Sequence, residues 1–405
     1  MRRPDQTTGT GRGWGAFLAP YPLFVGAIVS FLLCCAFGRR VRDYDSYENF
    51  VRFHSFINPQ SHFYPTVGQV RGLARSHLDP DRVAVIVGGN SILYGTGQRV
   101  TQVWTKELQA LLGDMYRVID FGLLGAMTGE FGGTAAEVVA PDFKKLIFIT
   151  DLGTSGAPGE PDGALYRYFF WDAYQNGMLT DHPEREARLH EIMKQRKEDE
   201  TFQELRTRMR FDSVMSFQDL WTTLAYCRLS TVWCPLVANS PTRPRRKYSD
   251  SEIGPLLPFK ERYTASQNAP NMKIVRGWCT NGAALVSGLD ADPSGSPLVK
   301  NAKLCFPEPC RKRTIILAIH DSPYYVDQLE RTERATYRQL FGVAVRLLER
   351  AGFTALEIGK DYSTDDFYDR CHLSEQGGAR LAEDVAAKVR ELAERLGYIE
   401  EGSKP

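Results

Sequence analysis

Three short runs of apolar, largely β-branched residues constrain this chain most: Arg82 to Val87 (RVAVIV), Lys145 to Thr150 (KLIFIT) and Arg313 to Ile319 (RTIILAI). None shows the apolar-polar alternation of a half-exposed strand. Each therefore reads as a strand buried on both faces, the condition of a parallel sheet covered by helices. Around them the period changes. Val103, Trp104, Leu108, Leu111 and Leu112 share one helical face, and helices are expected through Thr134 to Val139, around Thr332 to Ala351, and from Glu375 to about Leu396. Tyr116 to Phe121 and Thr354 to Ile358 are two further strands. The alternation of strand and helix predicts an α/β fold, a three-layer sandwich with a mainly parallel sheet.

The alternation lapses between about Gly153 and Lys312, where charged helical sequence (His182 to Arg210), an apolar piece (Phe217 to Val237) and a basic loop, SPTRPRRKYSD, occur instead. A length of 405 residues has room for two or three average domains. The pattern favours one α/β domain split by a large, mostly helical insertion. We divide the chain into a tail (1–13), a transmembrane helix (14–37), a stalk (38–80), the first part of the domain (81–155), the insertion (156–311), the second part (312–398) and a tail (399–405). No internal repeat is evident.

The transmembrane assignment rests on Trp14 to Phe37, WGAFLAPYPLFVGAIVSFLLCCAF, which contains no charged residue. A helix of that length spans a hydrocarbon core of ~30 Å. Pro20 and Pro22 place the start of the regular helix near them, with Trp14 and Tyr21 at the interface. A cleaved signal peptide is the competing reading, but the run is long for one and no small-x-small site follows. Leu33 before Cys34 also argues against a lipoprotein. Arg2, Arg3 and Arg12 on one side nearly balance Arg39, Arg40 and Arg42 on the other. We adopt the usual arrangement, with a short N-terminus inside and the domain outside, periplasmic or at the cell surface.

With 50 Lys and Arg against 49 Asp and Glu, nothing in the bulk charge calls for nucleic acid. Six cysteines lie beyond the membrane segment, with no C-x-x-C pair and no accompanying histidines, so no zinc module is expected. Cys305 and Cys310 could close a small disulfide loop or remain free thiols, and the bridge is preferred. The histidines show no paired spacing, and neither a metal nor a cofactor is expected. Arg243, Arg245, Arg246 and Lys247 read as a solvated loop, with anionic head groups as the alternative. The aromatic run Tyr166, Tyr168, Phe169, Phe170 and Trp171 reads as core rather than as a sugar platform.

Two places carry chemistry. The first strand ends in Gly88, Gly89, Asn90 and Ser91, and a serine just beyond a parallel strand lies at the open edge of the sheet, where ligands bind. The glycine spacing fits neither a P-loop nor a dinucleotide fingerprint. Taken alone, the turn reads equally well as a structural cap. The second place is DDFYDRCHLSEQGG, in which Asp369 and His372 are three apart, just before the last helix. At that spacing a carboxylate reaches one imidazole nitrogen and leaves the other free to take a proton from a hydroxyl. His320 and Asp321, ending the RTIILAI strand, are substrate contacts or a strand-end loop; Asn90 is a further substrate-contact candidate.

In these residues the chain resembles the SGNH, or GDSL-like, hydrolase and acyltransferase superfamily. VIVGGNS matches its strand and Gly-Asp/Asn-Ser block, which implies Ser91 as nucleophile. DFGLLGAMT is similar to its N-x-G-x-x-G-x-T block, with Asp120 in place of asparagine and with Gly122, Gly125 and Thr128 in step. Asp369, His372, Leu373 and Gly377 match the final block. The resemblance implies a Ser91, His372 and Asp369 triad and backbone oxyanion donors at Ser91 and Gly125. It departs at the third block, where KLIFITDLGTSG has no asparagine. Ser155 then falls in that slot, with Asp151 a nearby and chemically poor substitute. The expected function is a membrane-anchored serine esterase or O-acyltransferase, acting on acyl groups of a cell-surface glycan beside a membrane-bound O-acyltransferase. The alternatives are a tethered esterase or lipase, and a degenerate assembly subunit.

Overall fold

The computed structural model describes residues 20–42, 67–76, 79–99, 102–122, 132–152, 173, 178–179, 265–286 and 295–400. Five strands form one sheet: β1 (Val83–Val87), β2 (Tyr116–Asp120), β3 (Leu146–Asp151), β4 (Thr314–Ile319) and β5 (Thr354–Ile358). All neighbours are parallel, in the order β2-β1-β3-β4-β5. β1 and β3 are buried along their whole length. Such strands keep their backbone groups paired to strands on both sides and their side chains under helices on both faces.

Alternation along β1 divides the core in two. Val83, Val85 and Val87 join a cluster with Trp104 and Leu108 of the helix α3 (Trp104–Leu112). Ala84 and Ile86 face the other way, into a cluster with Val138 and Phe306. Before the sheet lie α1 (Pro20–Arg42) and α2 (Val67–Ser76); α4 (Ala135–Val139), α5 (Ala265–Val286), α6 (Pro297–Cys305), α7 (Arg331–Arg350) and α8 (Glu375–Arg395) follow α3. α6 and α7 cover the Ala84 face and α8 the Val83 face. α5, inside the expected insertion, sets Val275 and Cys279 against Tyr337, Leu340 and Phe341 of α7.

α8 closes the domain. Leu381, Val385, Val389 and Leu392 recur at helical spacing and are all buried. Each contributes about 1.5 to 3 kcal/mol relative to exposure, whereas the half-exposed Arg99 to Glu375 ion pair at its first turn is worth ~0 to 1 kcal/mol. The apolar stripe therefore docks this helix, and the ion pair only adjusts its start.

α1 begins at Pro20, where the prolines place it. Its described side chains are exposed on all sides, among them Phe24 at 66% and Leu33 at 64%. Among the described residues, no helix is long and apolar enough to cross a membrane. Of the stalk, residues 38–42, 67–76 and 79–80 are described, whereas the segments 182–210 and 217–237, the basic loop and the aromatic run at 166–171 lie outside the described residues. One expectation is corrected: Cys305 and Cys310 are not joined by a disulfide. Cys305 ends α6 and Cys310 lies in the next short helix, with Phe306 between them fully buried, so packing rather than a bridge fixes this corner.

Candidate active site

The site forms where β1 and the loop before α8 meet. Beyond β1 the chain turns sharply. Asn90 makes that turn with its own side chain: Oδ1 accepts from the Ile92 N–H at 2.9 Å, while Nδ2 donates to Asp151 Oδ2 at 2.6 Å. β1 is also where the strand order reverses, with β2 on one side and β3 on the other. A crevice at the carboxyl end of the strands is expected at such a point. Ser91 stands there.

The second half is a tight loop organised by its own acid. Phe367 pairs with Leu373, and the Tyr368 N–H donates to the His372 carbonyl at 2.8 Å. Inside this loop Asp369 Oδ1 accepts the N–H groups of Cys371 at 3.0 Å and His372 at 2.9 Å. Oδ2 remains for the imidazole. Ser374 then caps α8, its hydroxyl accepting from the Gly377 N–H. Gly377 has no alternative here, because a Cβ would lie 1.9 Å from the Asp366 carbonyl oxygen.

The two halves meet in a relay. His372 Nδ1 is 2.7 Å from Asp369 Oδ2, and Nε2 is 2.7 Å from Ser91 Oγ, across 281 residues of sequence. Burial pushes the Asp369 carboxyl up. The hydrogen bond and charge of His372, with the two loop N–H groups, outweigh burial and hold the acid at about 2. For His372, burial opposes protonation, but the Cys371 sulfur and the Asp369 carboxylate overcome it and raise the imidazole to about 10. Asp369 thus stays ionised and draws the proton to Nδ1, which leaves the Nε2 lone pair directed at Ser91 whenever the ring is neutral.

Two contacts that the sequence did not single out join these halves. Buried Gln98 accepts the Trp104 N–H at 2.9 Å and donates to the Leu373 carbonyl at 3.3 Å. Arg99 pairs with Glu375 through two side-chain contacts, at 2.5 and 2.8 Å. Both partners are more than 270 residues away, a separation with no local sequence signal.

The oxyanion side differs. The Ser91 N–H has no acceptor among the described residues. Gly125, Thr128 and Ser155 lie outside them. Asp120, standing where the superfamily pattern has asparagine, is buried and accepts from Thr105 Oγ1 at 3.2 Å and the Gly122 N–H at 2.8 Å. Gly122 approaches Tyr94 so closely that a Cβ would lie 2.6 Å from the Tyr94 nitrogen. Asp151 ends β3 bonded to Asn90.

The remaining candidates for substrate contact have protein partners. Asn90 is buried with both ends of its amide engaged. His320 stacks on Phe341 and meets Glu357 at 2.9 Å, and Asp321 is bonded to Arg370 and Tyr337. Asp369, Cys371 and His372 form the one group of possible metal ligands among the described residues, and two of the three are already committed to the relay. The arrangement can activate a serine hydroxyl for attack on an electrophilic carbon or phosphorus. No protein-family model matches the chain, and no curated protein or solved structure matches it.

Proposed function

We propose that this protein is a serine acyl-transfer enzyme of the SGNH type, tethered to a membrane with its catalytic domain on the extracytoplasmic side. One observation carries the reading: Ser91, His372 and Asp369 stand in hydrogen-bonded sequence with both spacings at 2.7 Å. Nucleophile, base and orienting acid in that order are what acyl transfer requires. The strand order supports it, because Ser91 follows the strand at which the sheet reverses.

In the first step Ser91 Oγ bonds to the acyl carbon as its proton passes to His372 Nε2. The carbon–oxygen bond to the leaving alcohol breaks, and that alcohol takes the proton from His372. In the second step His372 deprotonates the acceptor, water or a sugar hydroxyl, which displaces Ser91 and returns its proton. In the superfamily pattern the oxyanion donors are the N–H groups of Ser91 and Gly125. We assign transfer to a cell-surface glycan, alongside a membrane-bound O-acyltransferase, on the strength of the uncharged run at 14–37 and the long insertion. The anchor is supported by Leu23, Phe24, Val25, Ile28, Val29, Leu32 and Leu33, all exposed on α1, since a helix apolar all round needs an apolar surrounding.

A fluorophosphonate probe tests the carrying observation. Labelling at Ser91 is expected in the full chain, and its absence in folded protein defeats the reading. A second reading, a non-catalytic assembly subunit, is favoured by the absence of the third-block asparagine from KLIFITDLGTSG. It requires Ser91→Ala to leave the cellular phenotype intact.

A further inference from the structure

The residue beside the triad acid poses a chemical problem. Arg370 is adjacent to Asp369 and close enough to feel its charge. A guanidinium offers five donors in a planar fork and binds a carboxylate in two-pronged fashion, where an imidazole offers one N–H. Left to itself, Arg370 would capture Asp369 and take it from His372. In this molecule it is held elsewhere. Its Nη1 pairs with Asp321 Oδ1, its Nη2 donates to Cys371 Sγ at 3.4 Å, and its carbonyl accepts from the Ser322 N–H at 2.7 Å. Asp321 is fixed in turn: its N–H donates to the Tyr337 hydroxyl at 2.7 Å, and that hydroxyl donates to Asp321 Oδ2 at 3.1 Å.

We propose that Asp321, backed by Tyr337, is a positioning residue that sequesters the Arg370 guanidinium and so reserves the Asp369 carboxylate for His372. This rests on the triad reading above. The ion pair lies at 10% and 5% side-chain exposure. Burying two charges costs several kcal/mol each before their attraction is counted, and apolar residues of similar volume stabilise as well or better. An ion pair retained at such a cost, one residue from the triad acid, acts on that acid.

The test follows two signals in the full-length protein: the downfield proton resonance of His372 Nδ1–H bonded to Asp369, and the rate of fluorophosphonate labelling at Ser91. Asp321→Asn is expected to abolish the resonance and slow labelling roughly 100-fold, as misplacement by ~1 Å does. Adding Arg370→Gln removes the competitor, and the double variant is expected to recover the resonance and to label within roughly tenfold of the wild type. If Asp321→Asn does not fold, Tyr337→Phe, which removes the hydroxyl that fixes Asp321, is read instead: a weakened resonance and slower labelling are expected, and wild-type values of both overturn the proposal. The proposal is overturned if Asp321→Asn keeps the resonance and rate, or if the second substitution restores neither. A wild type that shows the resonance but is never labelled defeats the acyl-transfer reading instead, and the resonance alone then decides the role of Asp321.

Discussion

The proton-relay side of the site and the oxyanion side are built on different terms. On the relay side every polar atom has a purpose: Asp369 spends one oxygen on its own loop and the other on His372, and His372 spends one nitrogen on Asp369 and the other on Ser91. Asp120 and Asp151, which stand at or beside the blocks where the superfamily pattern implies oxyanion donors, are each turned to a neighbour: Asp120 to Thr105 and Gly122, Asp151 to Asn90. A triad supplies the nucleophile, but a negative charge must also be stabilised as it develops, and that is often the larger contribution. Activation of Ser91 and stabilisation of its product are therefore separable here, and substitutions can address them one at a time.

The largest effect belongs to the relay. Ser91→Ala is expected to lower ester turnover roughly 10⁶-fold and to abolish labelling, read by intact-protein mass spectrometry. Asp369→Asn keeps the shape but releases the wrong imidazole tautomer, for a fall of roughly 10⁴-fold in kcat. An unchanged kcat in Asp369→Asn would remove Asp369 from the relay.

The pH profile separates the two sides without changing the site. The proposed mechanism needs neutral His372, and its pKa is raised, so kcat/KM is expected to climb through an apparent pKa above the ordinary imidazole value of ~6.5, towards about 10. In Asp369→Asn this limb moves down. Stability responds with the opposite sense at each end. The Asp369 contribution is present above the unfolded carboxyl value of ~3.9 and is lost as pH falls through about 2. The His372 contribution is present below ~6.5 and is lost as pH rises through about 10. Denaturant titration across pH reads both.

Smaller effects sharpen the contrast. Gly377→Ala forces the loop and α8 apart and is expected to cost about 1 to 3 kcal/mol in urea unfolding, with labelling slowed. Asp151→Asn removes a charge from the oxyanion side and is expected to raise kcat about three- to tenfold, or up to ~1.4 kcal/mol in barrier. A fall instead would mean that its bond to Asn90, which shapes the nucleophile turn, outweighs its charge.

Much of the sheet was readable from sequence because a strand buried on both faces leaves an unbroken apolar run; all five strands start and end within one residue of where RVAVIV, KLIFIT, RTIILAI and the two weaker runs put them. Ser91, Asp369 and His372 were singled out from local motifs, and these are the residues the structure sets at hydrogen-bond distance. What escaped is contact between distant polar residues. Nothing near Asp321 announces Arg370, 49 residues on, and nothing near Gln98 announces Leu373. Local spacing also misled. Cys305 and Cys310 are near enough in sequence to suggest a loop closure, but a helix end and buried Phe306 occupy that corner.

The separation of 281 residues between Ser91 and His372 has a consequence for how the protein is made. A ribosome adds roughly 5 to 20 residues per second, so the nucleophile exists for roughly 14 to 56 seconds before its base is synthesised. Throughout that interval Ser91 lacks the base that would activate it. In the proposed mechanism the relay is therefore complete only once the chain has been made through His372.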